Sequence, residues 1–179
     1  AENGGAVHME DGTFTMKGGV ISECHADYGG AIYIKKGAQS DTPPSFMMSG
    51  GSIYKCSAAY DGGGVYIEDG TAEVSGDSAI EYCNAGSADI LEGRGGAVCI
   101  RKIGAYAPSF TMSGGTLANN TAIYNGGALH LEGGTVIISG GQGSRNIVSN
   151  GDGGGVSINS GSFSMPAGGS AVINANSAQ

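Results

Sequence analysis

A repeated Gly-Gly dipeptide, followed each time by an apolar-x-apolar stretch, sets the strongest constraint on the fold. The six copies begin at Gly4, Gly29, Gly62, Gly95, Gly126 and Gly153. Their starts are 25, 33, 33, 31 and 27 residues apart. Such periods are typical of solenoids, in which each unit buries its apolar side against the next. Because the apolar residues alternate with period two, the stacked units are predicted to be strands.

Each repeat contains two further short strands. The second begins with a hydroxyl residue followed by an apolar one, in residues 13–16, 45–48, 71–74, 109–112, 135–138 and 162–165. The third centres on an aliphatic residue, namely Ile21, Ile53, Ile80, Leu117, Val148 and Ile173. Three strands per coil predict an all-β protein, a three-faced parallel β-helix of about six coils, as one domain over residues 1–179. Segments 37–44, 84–94 and 103–108 are predicted to be loops.

Composition excludes several classes of protein. The 179 residues include 36 glycines, without the strict three-residue period of collagen. Eight Lys and Arg against 16 Asp and Glu give a net charge of −8, which argues against a nucleic-acid partner. No apolar run reaches the roughly 18 residues that a membrane helix requires. The sequence predicts no metal site, no cofactor and no catalytic set of residues.

Two aligned columns of charge support an in-register stack. The residue after the first strand reads Glu10, Lys35, Glu68, Arg101, Glu132, Asn159, and the next position reads Asp11, Lys36, Asp69, Lys102, Gly133, Ser160. In parallel coils these side chains lie one above another, where opposite charges attract and like charges repel. We therefore interpret both columns as stacking devices.

Two outward columns are candidates for contacts with sugars. The outward position of the first strand reads His8, Tyr33, Tyr66, Cys99, His130, Ser157. Stacked rings at Tyr33 and Tyr66 could offer a platform to a glycan, could shield a contact with a neighbouring subunit, or could simply stack on each other. The hydroxyl column that opens the second strand is interpreted first as strand propensity and hydrogen bonding, and next as sites for O-glycosylation. Asn119, before Asn120 and Thr121, fits the N-glycosylation pattern.

Three cysteines fall at one place in successive coils. Cys24, Cys56 and Cys83 each follow the third-strand aliphatic residue by three positions. A coil step of about 4.8 Å lies inside the Cα–Cα range of a disulfide. Cys24–Cys56 or Cys56–Cys83 could form, but not both, and we favour Cys24–Cys56. A stack of free buried thiols is the alternative, and Cys83 and Cys99 stay unassigned.

The chain resembles a known class of surface repeat. Its Gly-Gly-Ala-aliphatic motifs alternate with aliphatic-x-x-Asn elements, such as the one that runs from Leu117 to Asn120 and the one from Ile173 to Asn176. This pairing is similar to the repeats of bacterial surface β-helices, among them the polymorphic outer-membrane adhesins of the autotransporter type. The resemblance covers all six coils, with Cys in place of Asn in three. It implies a right-handed parallel β-helix, outside the bacterial cell or on its surface.

These observations lead to one main hypothesis and two alternatives. The main hypothesis is an extracellular structural rod that stacks head to tail into a filament, with itself or with neighbouring repeats, or that forms an adhesive stalk. The first alternative is a polysaccharide-binding module that uses Tyr33 and Tyr66. The second, less favoured, is a pectate-lyase-like enzyme with candidates Asp69, Asp89, Glu92 and Arg94.

Overall fold

The chain is a stack of short parallel strands. The computed structural model describes residues 2–87 and 92–179. In this part the chain forms eighteen strands, and none of it is a helix long and apolar enough to cross a bilayer. In chain order the strands are β1 (Val7–Met9), β2 (Thr13–Ser22), β3 (His25–Ala26), β4 (Ile32–Ile34), β5 (Ser45–Tyr54), β6 (Ser57–Ala58), β7 (Val65–Ile67), β8 (Thr71–Val74), β9 (Ala79–Glu81), β10 (Asn84–Ala85), β11 (Val98–Arg101), β12 (Ser109–Ala118), β13 (Thr121–Ala122), β14 (Leu129–Ser144), β15 (Ile147–Val148), β16 (Val156–Ser164), β17 (Val172–Asn174) and β18 (Ser177–Ala178).

Every strand pairs in parallel with the equivalent strand of the neighbouring coil, so the fold is a β-solenoid. The coils form six rungs, numbered here from the one that begins at Gly4. The rungs stack in four ladders, which follow the order β1-β4-β7-β11-β14-β16, β2-β5-β8-β12-β14-β16, β2-β5-β9-β12-β14-β17 and β3-β6-β10-β13-β15-β18. The predicted all-β parallel solenoid is confirmed.

The Gly-Gly pair is required by close backbone contacts. Gly29 has a φ of 62°, and a Cβ there would lie 2.3 Å from the carbonyl oxygen of Ile32. A Cβ on Gly30 would lie 2.3 Å from the carbonyl oxygen of Gly63 in the next rung. The first glycine therefore makes the turn, and the second lets neighbouring rungs approach.

The core is a column of apolar side chains along the stack. Inward residues of the first three ladders pack into one cluster, in which Ile32, Ile67 and Phe46 have no exposed surface. Each fully buried aliphatic side chain contributes about 1.5–3 kcal/mol. Toward the last rung the core opens, and 49% of Ile158 is exposed.

A left-handed corner separates the third ladder from the fourth. One non-glycine residue per rung has a φ between 50° and 57° there, namely Glu23, Lys55, Tyr82, Asn119, Arg145 and Ala175. We call these six residues the left-handed corner.

The fourth ladder was not predicted, and one predicted register is wrong. Its strands are only two residues long, too short to show alternation. In rung five Gly143, not Val148, lies beside Leu117 and Ile173 in the third ladder, while Val148 pairs with Ala122 in the fourth. The error arose because Val148 is aliphatic where most other rungs have alanine in the fourth ladder. The predicted loop at 84–94 likewise begins later, since Asn84–Ala85 is β10.

Candidate functional site

The outward column of the first ladder is the most elaborate cluster of side chains in the described residues. The paired register runs from His8 through Tyr33, Tyr66, Cys99 and His130 to Ser157. Although this column points away from the main core, its four central members are at most 5% exposed. The residue types alone could not reveal this burial, because the segments that lead into the next Gly-Gly pairs cover the column.

The tyrosines are engaged with one another. The rings of Tyr33 and Tyr66 stack 5.4 Å apart at an angle of 4°, and Tyr28 packs on Tyr66 at 5.3 Å. His8 meets the Tyr33 ring edge-on at 5.0 Å, while Tyr60 stacks on Tyr28 at 5.1 Å. Stacking on each other, which the sequence left open, is therefore the arrangement observed. A flat sugar face has no free Tyr33 or Tyr66 ring face to lie on.

Glu68 connects the tyrosines to the charge column. Its carboxylate is 5% exposed, accepts a hydrogen bond from the Tyr33 hydroxyl at 2.5 Å, and pairs with the Lys35 ammonium at 2.9 Å. Burial and the Glu68 contact raise the pKa of Tyr33 far above its ordinary value, and burial does the same for the pKa of Tyr66. Both phenols therefore stay protonated.

The first charge column forms two ion pairs rather than a continuous chain. Lys35 pairs with Glu68, and Arg101 pairs with Glu132 at 3.1 Å. Glu10 lies 3.8 Å from His8 instead of pairing with Lys35. In rung six an extra residue shifts the register, so Ser160, not Asn159, lies beside Glu132.

Members of the second charge column contact other groups. Asp11 accepts the backbone N–H of Gly12 at 2.6 Å, which is the main reason that its pKa is lowered. The Lys36 ammonium lies 5.0 Å from the centre of the Tyr106 ring. Asp69 is 6% exposed, and its Oδ1 has no partner among the described residues. Lys102 is exposed and lies beside Gly133 of the next rung.

A groove of about 250 Å³ opens beside the tyrosines. It is lined by Tyr28, Tyr33, Lys35, Tyr66, Glu68, Arg101 and Ile103. The tyrosine hydroxyls and the Arg101 guanidinium are the hydrogen-bond donors among the lining residues, with the Tyr33 hydroxyl already bonded to Glu68, and the Glu68 carboxylate is an acceptor. The groove could therefore hold a small polar molecule by its hydroxyl or carboxylate groups.

The column continues into a buried polar cluster in rungs two to five. Asp61 is 2% exposed, accepts the backbone N–H of Arg94 at 2.9 Å and contacts its guanidinium at 3.4 Å. Burial raises the pKa of Asp61 in spite of the nearby Arg94. His130 has no exposed surface and no hydrogen-bond partner at either ring nitrogen among the described residues. Burial, then the charges of Arg94 and Arg101, lower the pKa of His130 to about 4.

Of the enzyme candidates in the described residues, Asp69 and Arg94 contact different groups. Arg94 is held by Asp61, and the Asp69 carboxylate lies against Gly104. Asp89 falls outside the described residues. Within residues 2–87 and 92–179, no group of three His, Cys, Asp or Glu side chains is arranged to hold a metal ion.

All four cysteines are free thiols in the structure, so the Cys24–Cys56 bridge favoured from the sequence is not formed in it. Cys24, Cys56 and Cys83 occupy one column, which Asn120, Asn146 and Asn176 continue. The three-residue spacing after the third-strand aliphatic residue assigned Asn120 and Asn176 to this column. Asn146 was missed, because the third strand of rung five was placed at Val148. Asn119, the candidate glycosylation site, is partly exposed in the left-handed corner.

Comparison with protein-family models, with curated proteins and with solved structures gives no match.

Proposed function

We propose that this chain is a structural element, a β-solenoid rod outside the bacterial cell or on its surface, extended by stacking further rungs on its ends. The observation that carries the proposal is the continuous parallel strand pairing through all six rungs, with an edge at each end that no other described strand pairs. The likeness of its motifs to surface adhesin repeats supports the location. In this function the rod acts as a spacer or stalk.

Each end rung forms strand pairs with another described rung on one side only. β1, β2 and β3 pair on one side, with β4, β5 and β6. At the other end β16 and β17 pair with β14, and β18 pairs with β15. Unpaired strand edges are templates for another chain.

The two ends are chemically complementary. In rung six Ile158 and Ile173, which continue the core columns of Leu131 and Ile53, are 49% and 37% exposed. A second copy stacked head to tail in the same register would place Phe163 on Phe14 and Ile173 on Ile21. Phe14 already stacks on Phe46 at 5.4 Å inside the chain, so such a contact repeats an existing one. Further repeats of a longer chain would cover the same edges in the same way.

Electron microscopy of the purified chain over a concentration series tests self-stacking. We expect unbranched filaments that lengthen with concentration, with an axial repeat of about 29 Å from six rungs at about 4.8 Å. Ile158→Lys with Ile173→Lys, which buries charge at the joint, should abolish them, whereas the exposed substitution Glu23→Lys should not. Single particles at every wild-type concentration would contradict self-stacking.

A glycan-binding role is the second candidate, favoured by the groove beside the tyrosines. Its donors, Arg101 above all, suit an acidic polysaccharide, and binding would use tyrosine edges rather than ring faces. Titration with polygalacturonate, followed by calorimetry, should give binding that Arg101→Ala weakens and Arg145→Ala leaves intact. Absence of heat at millimolar sugar would dismiss this role. A pectate-lyase-like activity has less support, and the same polysaccharide would reveal it by chain cleavage.

A further inference from the structure

Three thiols lie in one column at the corner before the fourth ladder. Ser22 pairs with Tyr54 on one side of this position, and His25 pairs with Ser57 on the other, so Cys24 and Cys56 occupy the same place in rungs one and two. The pairs Tyr54–Glu81 and Ser57–Asn84 fix Cys83 in the same way above Cys56. The alignment is therefore set by backbone pairing on both sides.

The thiols partly replace an amide ladder. In rungs four to six each asparagine accepts the backbone N–H of the preceding rung through Oδ1 and donates through Nδ2 to a carbonyl of that rung. Sulfur does both more weakly, since Cys56 Sγ lies 3.8 Å from the Ile21 carbonyl and Cys83 Sγ lies 3.9 Å from that of Ile53. A cysteine column holds the corner less firmly than asparagine, but it adds a chemistry that asparagine lacks.

Adjacent thiols are close enough to react. The rung step of about 4.8 Å lies inside the Cα–Cα range of a disulfide, while two steps exceed the roughly 7 Å limit. Cys24 can therefore join Cys56, and Cys56 can join Cys83, but Cys24 cannot reach Cys83.

Exposure differs along the column. Cys24 is partly exposed, whereas Cys56 and Cys83 are each 1% exposed. A reagent in solution meets Cys24 first. Hydrogen bonds, chiefly from Cys83, lower the pKa of Cys56 to about 6, whereas burial, then the neighbouring Cys56, raises the pKa of Cys24. The Cys56 thiolate can therefore take the proton of Cys24.

We propose that Cys24 and Cys56 form a thiol–disulfide exchange site that accepts small disulfides from solution. Cys24 passes its proton to the Cys56 thiolate and attacks one sulfur of the reagent, forming a mixed disulfide and expelling the first thiolate, which takes that proton from Cys56. The Cys56 thiolate then attacks the Cys24 sulfur, forms the Cys24–Cys56 bond and expels the second thiolate. The protein loses two electrons and two protons, and the reagent leaves as two thiols. The bond joins rung one covalently to rung two.

Oxidised glutathione added to the folded, reduced protein tests the proposal, with intact-mass and peptide-map readouts. The wild type should lose two hydrogens, retain no glutathione, and yield a peptide linked through Cys24 and Cys56. Cys56→Ser should retain one glutathione on Cys24, because no resolving thiol remains. Cys24→Ser should react far more slowly, and Cys83→Ser should still form the Cys24–Cys56 bond.

Matched controls separate reactivity from folding. Serine is close to cysteine in size, and circular dichroism of each variant checks that the strands are kept. Cys99→Ser, in the outward column of the first ladder, should leave the reaction unchanged. A wild type that stays reduced, that keeps glutathione on Cys24, or that links Cys56 to Cys83 would overturn the proposal.

Discussion

The side-chain amides of Asn120 and Asn146 lie one above the other, with Asn120 Nδ2 donating to Asn146 Oδ1 at 3.0 Å. Asn120 has no exposed surface. Its Oδ1 accepts the Cys83 N–H at 2.9 Å, and its Nδ2 also donates to the Ile80 carbonyl at 3.0 Å. One side chain thus satisfies backbone groups of a neighbouring rung that no water reaches.

Replacing Asn120 should therefore be costly. Asn120→Ala leaves the Cys83 N–H and the Ile80 carbonyl buried without partners, and we expect a loss of about 3 kcal/mol in the free energy of unfolding. Asn120→Cys, which copies the residue used in rungs one to three, should cost roughly half as much, because sulfur is a weaker partner at both positions. Urea unfolding monitored by circular dichroism measures both. Equal losses for alanine and cysteine would show that the ladder bonds contribute little.

Acid should destabilise the protein through His130. Its pKa is about 4 in the folded chain and about 6.5 when unfolded, so below pH 6.5 the unfolded state binds the extra proton. Stability should fall as the pH drops from 6.5 to 4, by up to about 3 kcal/mol, and this contribution should level off below pH 4. His130→Leu should remove this part of the pH dependence without loss at pH 7. Urea unfolding between pH 4 and pH 8 checks it, and His8→Leu, at the exposed end of the same column, should keep the wild-type slope.

The second glycine of each pair should tolerate no side chain. A Cβ on Gly63 would lie 2.4 Å from the carbonyl oxygen of Gly96, which belongs to the next rung and cannot move alone. We expect Gly63→Ala to cost about 3 kcal/mol or more, as overpacking does when the backbone must shift. Gly18→Ala is the matched control, because nothing lies within 4 Å of a Cβ there. Thermal unfolding compares the two, and similar melting temperatures would contradict the assigned contact.

The two ion pairs of the first charge column should contribute unequally to the free energy of unfolding. Glu68→Ala removes the partner of Lys35 and the acceptor of the Tyr33 hydroxyl at a buried position, which should cost about 2 kcal/mol. Glu132→Ala removes a pair whose carboxylate is 35% exposed, so the loss should stay below about 1 kcal/mol. Chemical unfolding of both variants decides the order. A larger loss for Glu132→Ala would show that burial does not set the difference.

The repeat was predictable from sequence because its determinants are local. The Gly-Gly pair fixes the corner, and the alternation of Ile32 and Ile34 fixes which face enters the main core. The fourth ladder was not predictable, since its two-residue strands carry no period. The burial of Tyr33 and Tyr66 also escaped prediction, because it depends on packing between rungs, such as that of Tyr28 on Tyr66. The sequence predicted ion pairs only from the alternation of charge down the column. Glu10 is next to Lys35 in that column, yet Lys35 pairs with Glu68 instead.

The left-handed corner carries six unlike side chains on one backbone conformation: acidic, basic, aromatic, amide, guanidinium and methyl. None of the six is glycine, although a left-handed conformation costs any other residue about 1 kcal/mol in backbone strain. The rod thus presents a row of variable groups at a fixed pitch of about 4.8 Å. Substitutions along that row therefore change the side chains on the surface while the backbone conformation of the corner stays the same.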